Sequence, residues 1–224
     1  MYAHFKAIAE ATDMPIILYN VPGRTGVNML PETTLRLAAD CKNVVGIKEA
    51  SGNIEQIEYI LRHRPEGFKV FSGDDGITLP LIKSGADGVI SVIGNAYAEE
   101  FALMVRYALS GDMEKAARIH ERLTPLYDLL FVDGNPAGIK CLMNPRVMLD
   151  NVLRLPLVPA TEATELLPAL KANIDAFIES HRSWMTDALG RHQEKARQRS
   201  DFYAQLSLET PAQKRAAKAK LQEL

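Results

Sequence analysis

The chain has 224 residues, enough for one large domain with an appendage and a substantial buried core. A hydrophobic fraction of 47% and a net charge of -2 are those of an ordinary globular chain and argue against a disordered or fibrous one. No apolar run approaches the roughly 20 residues of a membrane helix, and Cys41 and Cys141 form no CxxC pair, which argues against a disulfide scaffold or zinc ribbon and for a reducing cytoplasm.

Along the chain, Tyr2, Phe5, Ile8 and Ala9 recur at helical spacing over residues 1–12, with no long apolar block or cleavage site. This predicts an amphipathic helix and not a signal peptide. From Pro15 onward, short β-branched runs alternate with helical periodicity. Strands are expected at 16–19, 44–48, 69–72 and 88–92, followed by helices at 31–39, 54–64, 76–84 and 98–109. Pro31 suits a first helical turn, Asn53 a cap, and Asp74 or Asp75 a cap for the helix opening at Gly76. The runs are continuously apolar, the pattern of strands buried on both faces. Four successive βα units imply a parallel sheet with right-handed crossovers.

After Leu109 the strands stop. Gly111 breaks the chain, helices are expected over 113–131, 136–143 and 161–179, and residues 154–159 read as a proline-punctuated extended connector. From Ser180 the chain turns polar, with a lone Trp184 and a helix-forming stretch over 212–224. Residues 181–224 carry nine Lys/Arg against five Asp/Glu, so this tail is +4 and residues 1–180 are -6. The expected division is a βα body over 1–109, a helical region over 110–179, and a basic helical or disordered tail over 180–224. A solvated tail is the reading for such interspersed charges, with no nucleic-acid or membrane role.

In parallel α/β folds the reactive groups gather on the loops at the carboxyl ends of the strands. Those ends here carry Tyr19, Lys48, the run Ser72-Gly73-Asp74, and Ile90-Ser91. A lone strand-end lysine usually snorkels to solvent, and a lone tyrosine is usually a core ring with its hydroxyl at the rim. Together, on successive strands about 5 Å apart, an amine and a phenol suggest imine chemistry on a carbonyl substrate. The five histidines lack metal-ligand spacing, and Gly73-Asp74-Asp75-Gly76 is too acidic to cradle phosphate. No metal or other cofactor is expected.

Tyr19 opens YNVPGRTG and Lys48 lies in GIKEASGN; SGDD (72–75), GVISVIGN (88–95), NPAGIK (135–140) and LRLPLVP (153–159) follow in order. With these motifs the chain resembles the dihydrodipicolinate synthase and N-acetylneuraminate lyase family over residues 1–159. The resemblance implies a TIM barrel and Schiff-base chemistry on pyruvate. Lys48 matches the imine-forming lysine, Tyr19 the proton-relaying tyrosine, and Arg24 the arginine that holds the carboxylate of aspartate semialdehyde. Gly73 and Ile90 match residues lining the pyruvate site, Ile90 through its backbone. Burial would favour the neutral amine, and a guanidinium forks onto a carboxylate. Neuraminate lyases and sugar-acid aldolases typically lack the arginine, so the resemblance favours the lysine-biosynthetic branch. The alternatives are a related pyruvate aldolase, or an inactive barrel piece acting in interactions. Pyruvate and aspartate semialdehyde are the implied partners, in a homodimer or homotetramer.

The family barrel has eight βα units and only four are legible here, matching its strands five to eight. The counterparts of a relay threonine, a tyrosine donated across the dimer interface, and most of the lysine-feedback site are therefore not in this sequence. A half-barrel would expose strand edges, and little activity is expected of these four units alone.

Overall fold

The computed structural model describes residues 1–147 and 150–160, with residues 172, 175, 176, 179, 194 and 197 beyond them. The chain divides into two compact units, Met1–Ala176 and Phe177–Leu224. Within the second, Arg197 donates twice to the Glu194 carboxylate, at 3.0 and 3.1 Å. The helices expected over 161–179 and 212–224, and the character of the tail from Ser180, lie outside the described residues apart from those isolated positions.

The first unit opens with helix α1 (Tyr2–Glu10) and then builds one sheet from β1 (Ile16–Asn20), β2 (Val44–Glu49), β3 (Lys69–Ser72) and β4 (Gly88–Val89). The strands lie in the order β1-β2-β3-β4, all neighbours parallel. Parallel neighbours require crossovers, and helices supply them: α2 (Pro22–Thr25) and α3 (Pro31–Asp40), then α4 (Ile54–His63), then α5 (Thr78–Lys83). A 3₁₀ turn over Ile93–Asn95 follows β4, and α6 (Ala98–Leu109), α7 (Met113–Leu129) and α8 (Ala137–Val147) complete the described part. Residues 154–159 run as an exposed, irregular connector. This is the fold class expected, four βα units of a TIM barrel with helices appended.

Register decides which side chains share a face. Leu18, Ile47 and Val70 are partners across β1, β2 and β3, and all three are buried against the helices. Leu37 of α3, Ile57 and Ile60 of α4 and Leu81 of α5 are buried among the same core residues. Each such side chain stabilises the fold by about 1.5–3 kcal/mol. Two residues further along, Asn20, Glu49 and Ser72 form a second row in register on the same buried face, and all three are polar. Tyr19, Lys48 and Phe71 form the row between them, so strand alternation turns them to the opposite face.

That opposite face corrects the expectation of strands buried on both sides. Ile17, Tyr19 and Ile90 remain 48%, 46% and 42% exposed. Four strands do not close a ring, so no facing layer of side chains covers them among the described residues. Strand β4 is also shorter than the expected 88–92, because the chain turns into the 3₁₀ helix soon after it. Asn53 caps α4 as expected, its Oδ1 accepting the Gln56 N–H at 3.0 Å. The expected aspartate cap of the next helix is wrong: α5 starts at Thr78 behind Ile77, with no side-chain cap. Asp74 instead closes a local turn by accepting the Gly76 N–H at 2.9 Å, and Asp75 is committed elsewhere.

Candidate active site

The carboxyl ends of β1, β2 and β3 meet at a cleft of about 340 Å³ lined by Tyr19, Arg24, Lys48, Gly73, Phe131 and Asn135, among others. Its volume falls in the range of small-molecule sites. Tyr19 and Lys48 are directly paired in the β1–β2 register. The Lys48 Nζ stands 4.4 Å from the centre of the Tyr19 ring. Lys48 is half-buried, with its amine on the open side of the sheet.

Gly73 closes the cleft from β3. Its N–H donates to the Glu49 carbonyl at 2.7 Å, which draws the loop tightly onto the end of β2. A Cβ at this position would lie 2.6 Å from the Ala50 Cβ and 3.0 Å from the Lys48 Cε. Glycine is therefore required for the amine to sit where it does.

Arg24 reaches the cleft from α2, a single turn absent from the expected elements although its signals are local. Pro22 occupies the first helical turn and Gly26 ends it at φ 70° in the left-handed region. The guanidinium is exposed and donates through Nη2 to the Asn135 carbonyl at 3.2 Å. That contact joins residues 111 positions apart, so it has no local sequence signal.

Ile90 is the one expected site residue not in the cleft lining, where Val92 takes the place after that strand. Its N–H is donated to the Ser72 carbonyl at 2.9 Å. The structure thus brings Tyr19, Arg24, Lys48 and Gly73 round one space and sets Ile90 outside its lining.

Two buried carboxylates brace the loops behind these residues. Asp75 accepts the N–H groups of Val92 and Ile93 on one oxygen, at 3.1 and 2.7 Å, and so caps the 3₁₀ turn. Its other oxygen is buried without a hydrogen bond of ordinary geometry, although the Ser91 side chain interacts favourably with the carboxylate. Burial pushes the Asp75 carboxyl above its usual range, against the pull of those hydrogen bonds. Burial, with the charge of Asp75 second, likewise raises the neighbouring Tyr127 phenol and keeps it protonated.

Glu49 is the second carboxylate, fully buried at the end of β2. It accepts from Asn20 Nδ2 at 3.0 and 3.1 Å, Gln56 Nε2 at 3.1 Å and the Ser51 N–H at 2.8 Å. Sequence reasoning gave neither Glu49 nor Asn20 a role. The available signal was an acidic residue ending an apolar strand, with an amide side chain at the same place on the strand before.

A primary amine beside a phenol, with a guanidinium at the rim, can form an imine with a ketone and hold a carboxylate nearby. Among the described residues, no group of three or more His, Cys, Asp or Glu could hold a metal ion.

Comparison with known proteins gives the same direction. Residues 1–176 match the model of the dihydrodipicolinate synthetase family. The chain is 62% identical over 164 residues to the 4-hydroxy-tetrahydrodipicolinate synthase of Phocaeicola vulgatus, covering 73% of this chain and 55% of that protein. It is 59% identical over the same length to the synthase of Parabacteroides distasonis, with the same coverage. Among solved structures, the dihydrodipicolinate synthase of Thermotoga maritima matches with a TM-score of 0.75 at 46% identity, over 78% of this chain and 60% of that one. The 4-hydroxy-tetrahydrodipicolinate synthase of Methylacidiphilum fumariolicum matches with a TM-score of 0.78 at 36% identity, over 81% and 61%. The chain therefore spans somewhat more than half the length of these relatives. On the family model and these relatives together, the chain belongs to the dihydrodipicolinate synthetase family.

Proposed function

We propose that this chain carries the imine-forming residues of a lyase that condenses pyruvate with aspartate semialdehyde to 4-hydroxy-tetrahydrodipicolinate, in diaminopimelate and lysine biosynthesis. The observation that carries the reading is the Lys48 Nζ poised 4.4 Å from the Tyr19 ring centre, in a cleft that Arg24 also lines. The names of the similar proteins support the choice of reaction.

The neutral Lys48 amine attacks the ketone carbon of pyruvate, and the resulting carbinolamine loses water to give the iminium. The Tyr19 phenol relays one proton from the attacking amine to the carbinolamine oxygen, and a second proton drawn from solvent through the same phenol lets the hydroxyl leave as water. Loss of a methyl proton then gives an enamine, whose carbon attacks the aldehyde of the second substrate. The α-amine of that substrate displaces Lys48 as the ring closes, which restores the free lysine. Arg24 holds the α-carboxylate of the aldehyde through two parallel hydrogen bonds. Gly73 gives the amine its space. Ile90 contributes its carbonyl at the edge of the pyruvate position. The reading carries with it a cytoplasmic homo-oligomer, and no described helix is long and apolar enough to cross a membrane.

Borohydride reduction of the full chain in the presence of pyruvate tests this reading without needing turnover. A reduced pyruvyl adduct should map to the peptide containing Lys48, and Lys48→Arg should abolish it. A folded chain with no adduct, or with its adduct on another lysine, would overturn the assignment.

A further inference from the structure

We propose that Glu49 is a positioning residue for the Lys48–Tyr19 pair, acting through a buried hydrogen-bond network of neutral amides with Asn20 and Gln56. The inference rests on the reading of Lys48 as the imine-forming amine and extends it to the opposite face of the sheet.

Register couples the two faces. Tyr19 pairs with Lys48, and the next pair along is Asn20 with Glu49. Side chains alternate along strands, so the reactive pair and the polar pair sit back to back on the same two strand ends. Any shift of one strand end against the other moves both pairs together. What holds the polar pair therefore fixes the reactive pair.

The network draws on several segments. The Asn20 amide donates to both Glu49 oxygens and to Asn28 Oδ1 at 2.8 Å, while its own Oδ1 accepts the Met29 N–H at 2.9 Å. Gln56 donates to Glu49 at 3.1 Å and accepts from Asn28 Nδ2 at 2.9 Å. The Ser51 N–H completes the carboxylate's shell at 2.8 Å. The network so ties the ends of β1 and β2, the loop before α3, and the first turn of α4. Two backbone bonds continue it across the sheet: Ala50 N–H to the Asn20 carbonyl at 2.8 Å, and Gly73 N–H to the Glu49 carbonyl at 2.7 Å.

These hydrogen bonds to the Glu49 carboxylate all come from neutral amides. A buried carboxylate is costly unless its lone pairs are matched, and stability alone is served as well by an apolar residue of similar volume. A carboxylate is the side chain whose two oxygens only accept. It can gather the Asn20, Gln56 and Ser51 donors from three separate segments onto one point. That is a device for fixing geometry. Misplacement of a reacting group by about 1 Å costs up to about 100-fold in rate, which gives such a device its value here.

The test uses the full chain and two readouts. Glu49→Gln keeps the shape but sets a donor against donors. Gln56→Ala removes one donor and is the milder change. In the double variant Glu49→Gln/Gln56→Glu the carboxylate crosses the same hydrogen bond. Arg64→Ala, in the Asp87 cluster outside this network, controls for lost stability. At equal folded fraction, the maximal rate of pyruvate trapping on Lys48 should fall about 10- to 100-fold in Glu49→Gln. It should fall less in Gln56→Ala, recover in the double variant, and stay unchanged in Arg64→Ala. The second readout needs no substrate: the Lys48 ε-methylene proton signals, shifted upfield by the Tyr19 ring, should relax toward exposed-lysine values in Glu49→Gln and return in the swap. If the wild-type chain traps no pyruvate, the lyase reading fails alone and the proton signals still decide the positioning role. Folded Glu49→Gln protein with wild-type signals would overturn the proposal, as would a wild-type trapping rate.

Discussion

Gly73 lies so close under Lys48 that a single methyl group on it would stand 3.0 Å from the lysine Cε. The same methyl would be 2.6 Å from the Ala50 Cβ and 3.1 Å from the Glu49 carbonyl oxygen. The lysine stem can swing away, but the Ala50 side chain and the β2 backbone cannot. Gly73→Ala is therefore expected to push the loop after β3 off the end of β2 and to turn Lys48 from Tyr19. Overpacking of this kind costs about 1–3 kcal/mol of stability. The trapping rate on Lys48 should drop by more than the loss of folded protein explains, as measured by borohydride reduction beside a urea melt. A variant that is destabilised but traps pyruvate at the wild-type rate would show that the lysine does not depend on this contact.

The pairing of Tyr19 with Lys48 is legible in the sequence because its determinants are local. Two apolar runs ending in Tyr19 and Lys48 fix both strands, and parallel pairing in register then brings the two ends together. Arg24 was legible only through resemblance to a family, since its contact with Asn135 depends on chain closure. Strand β4 is shorter than its sequence suggests for the same reason. The residues Ile90 to Val92 look like strand, but Asp75, 17 and 18 positions earlier, claims the N–H groups of Val92 and Ile93 and winds them into a turn. The Glu49 network was invisible because strand propensity treats an acidic residue at a strand end as solvent-facing, whereas α4 brings Gln56 over it and buries it completely. Burial of the two sheet faces also departs from the sequence pattern. Continuous apolar runs promised burial on both sides, yet only the helix side is covered among the described residues.

Asp75 gives a prediction in pH. Its carboxyl has an ordinary value of 3.8 and is pushed up by burial, with the Asp74 charge adding to the effect. Between 3.8 and the raised folded value, the native state holds a proton that the unfolded chain has lost. Stability contributed by this group therefore falls as pH rises through that window and is flat above it. Asp75→Asn does not titrate and keeps one oxygen for the Val92 and Ile93 N–H groups. The wild type should gain on the variant steadily as the pH is lowered through the window, by about 1.4 kcal/mol per pH unit. Urea unfolding of both proteins at a series of acidic pH values checks it. Parallel stability curves would mean that Asp75 is not strained by its burial.

Under the proposed reaction, Arg24 is expected to act on one of the two substrates and not the other. Its guanidinium is exposed at the rim of the cleft, anchored by the Asn135 carbonyl, while Lys48 and Gly73 form the floor. A group in that position is suited to the carboxylate of the molecule that arrives second, not to that of the pyruvate already bound to the lysine. Losing a charge-assisted hydrogen bond costs about 1.5–3 kcal/mol, so in an assembly that completes the barrel and turns over, Arg24→Ala should raise the KM for aspartate semialdehyde about 10- to 150-fold. The KM for pyruvate and the trapping of pyruvate on Lys48 should stay close to wild type. Arg24→Lys distinguishes charge from geometry, because an ammonium keeps the charge but cannot form the two parallel bonds. If the fork matters, lysine should recover only part of the loss. The bond from Arg24 to Asn135 offers the competing explanation, since the variant also releases the segment that carries Phe131 and Asn135 along one wall. Loosening that wall would weaken both substrates together. Steady-state kinetics with each substrate varied in turn therefore decides the matter: a selective rise for the aldehyde supports carboxylate recognition, and an equal rise for both assigns Arg24 to holding the cleft together.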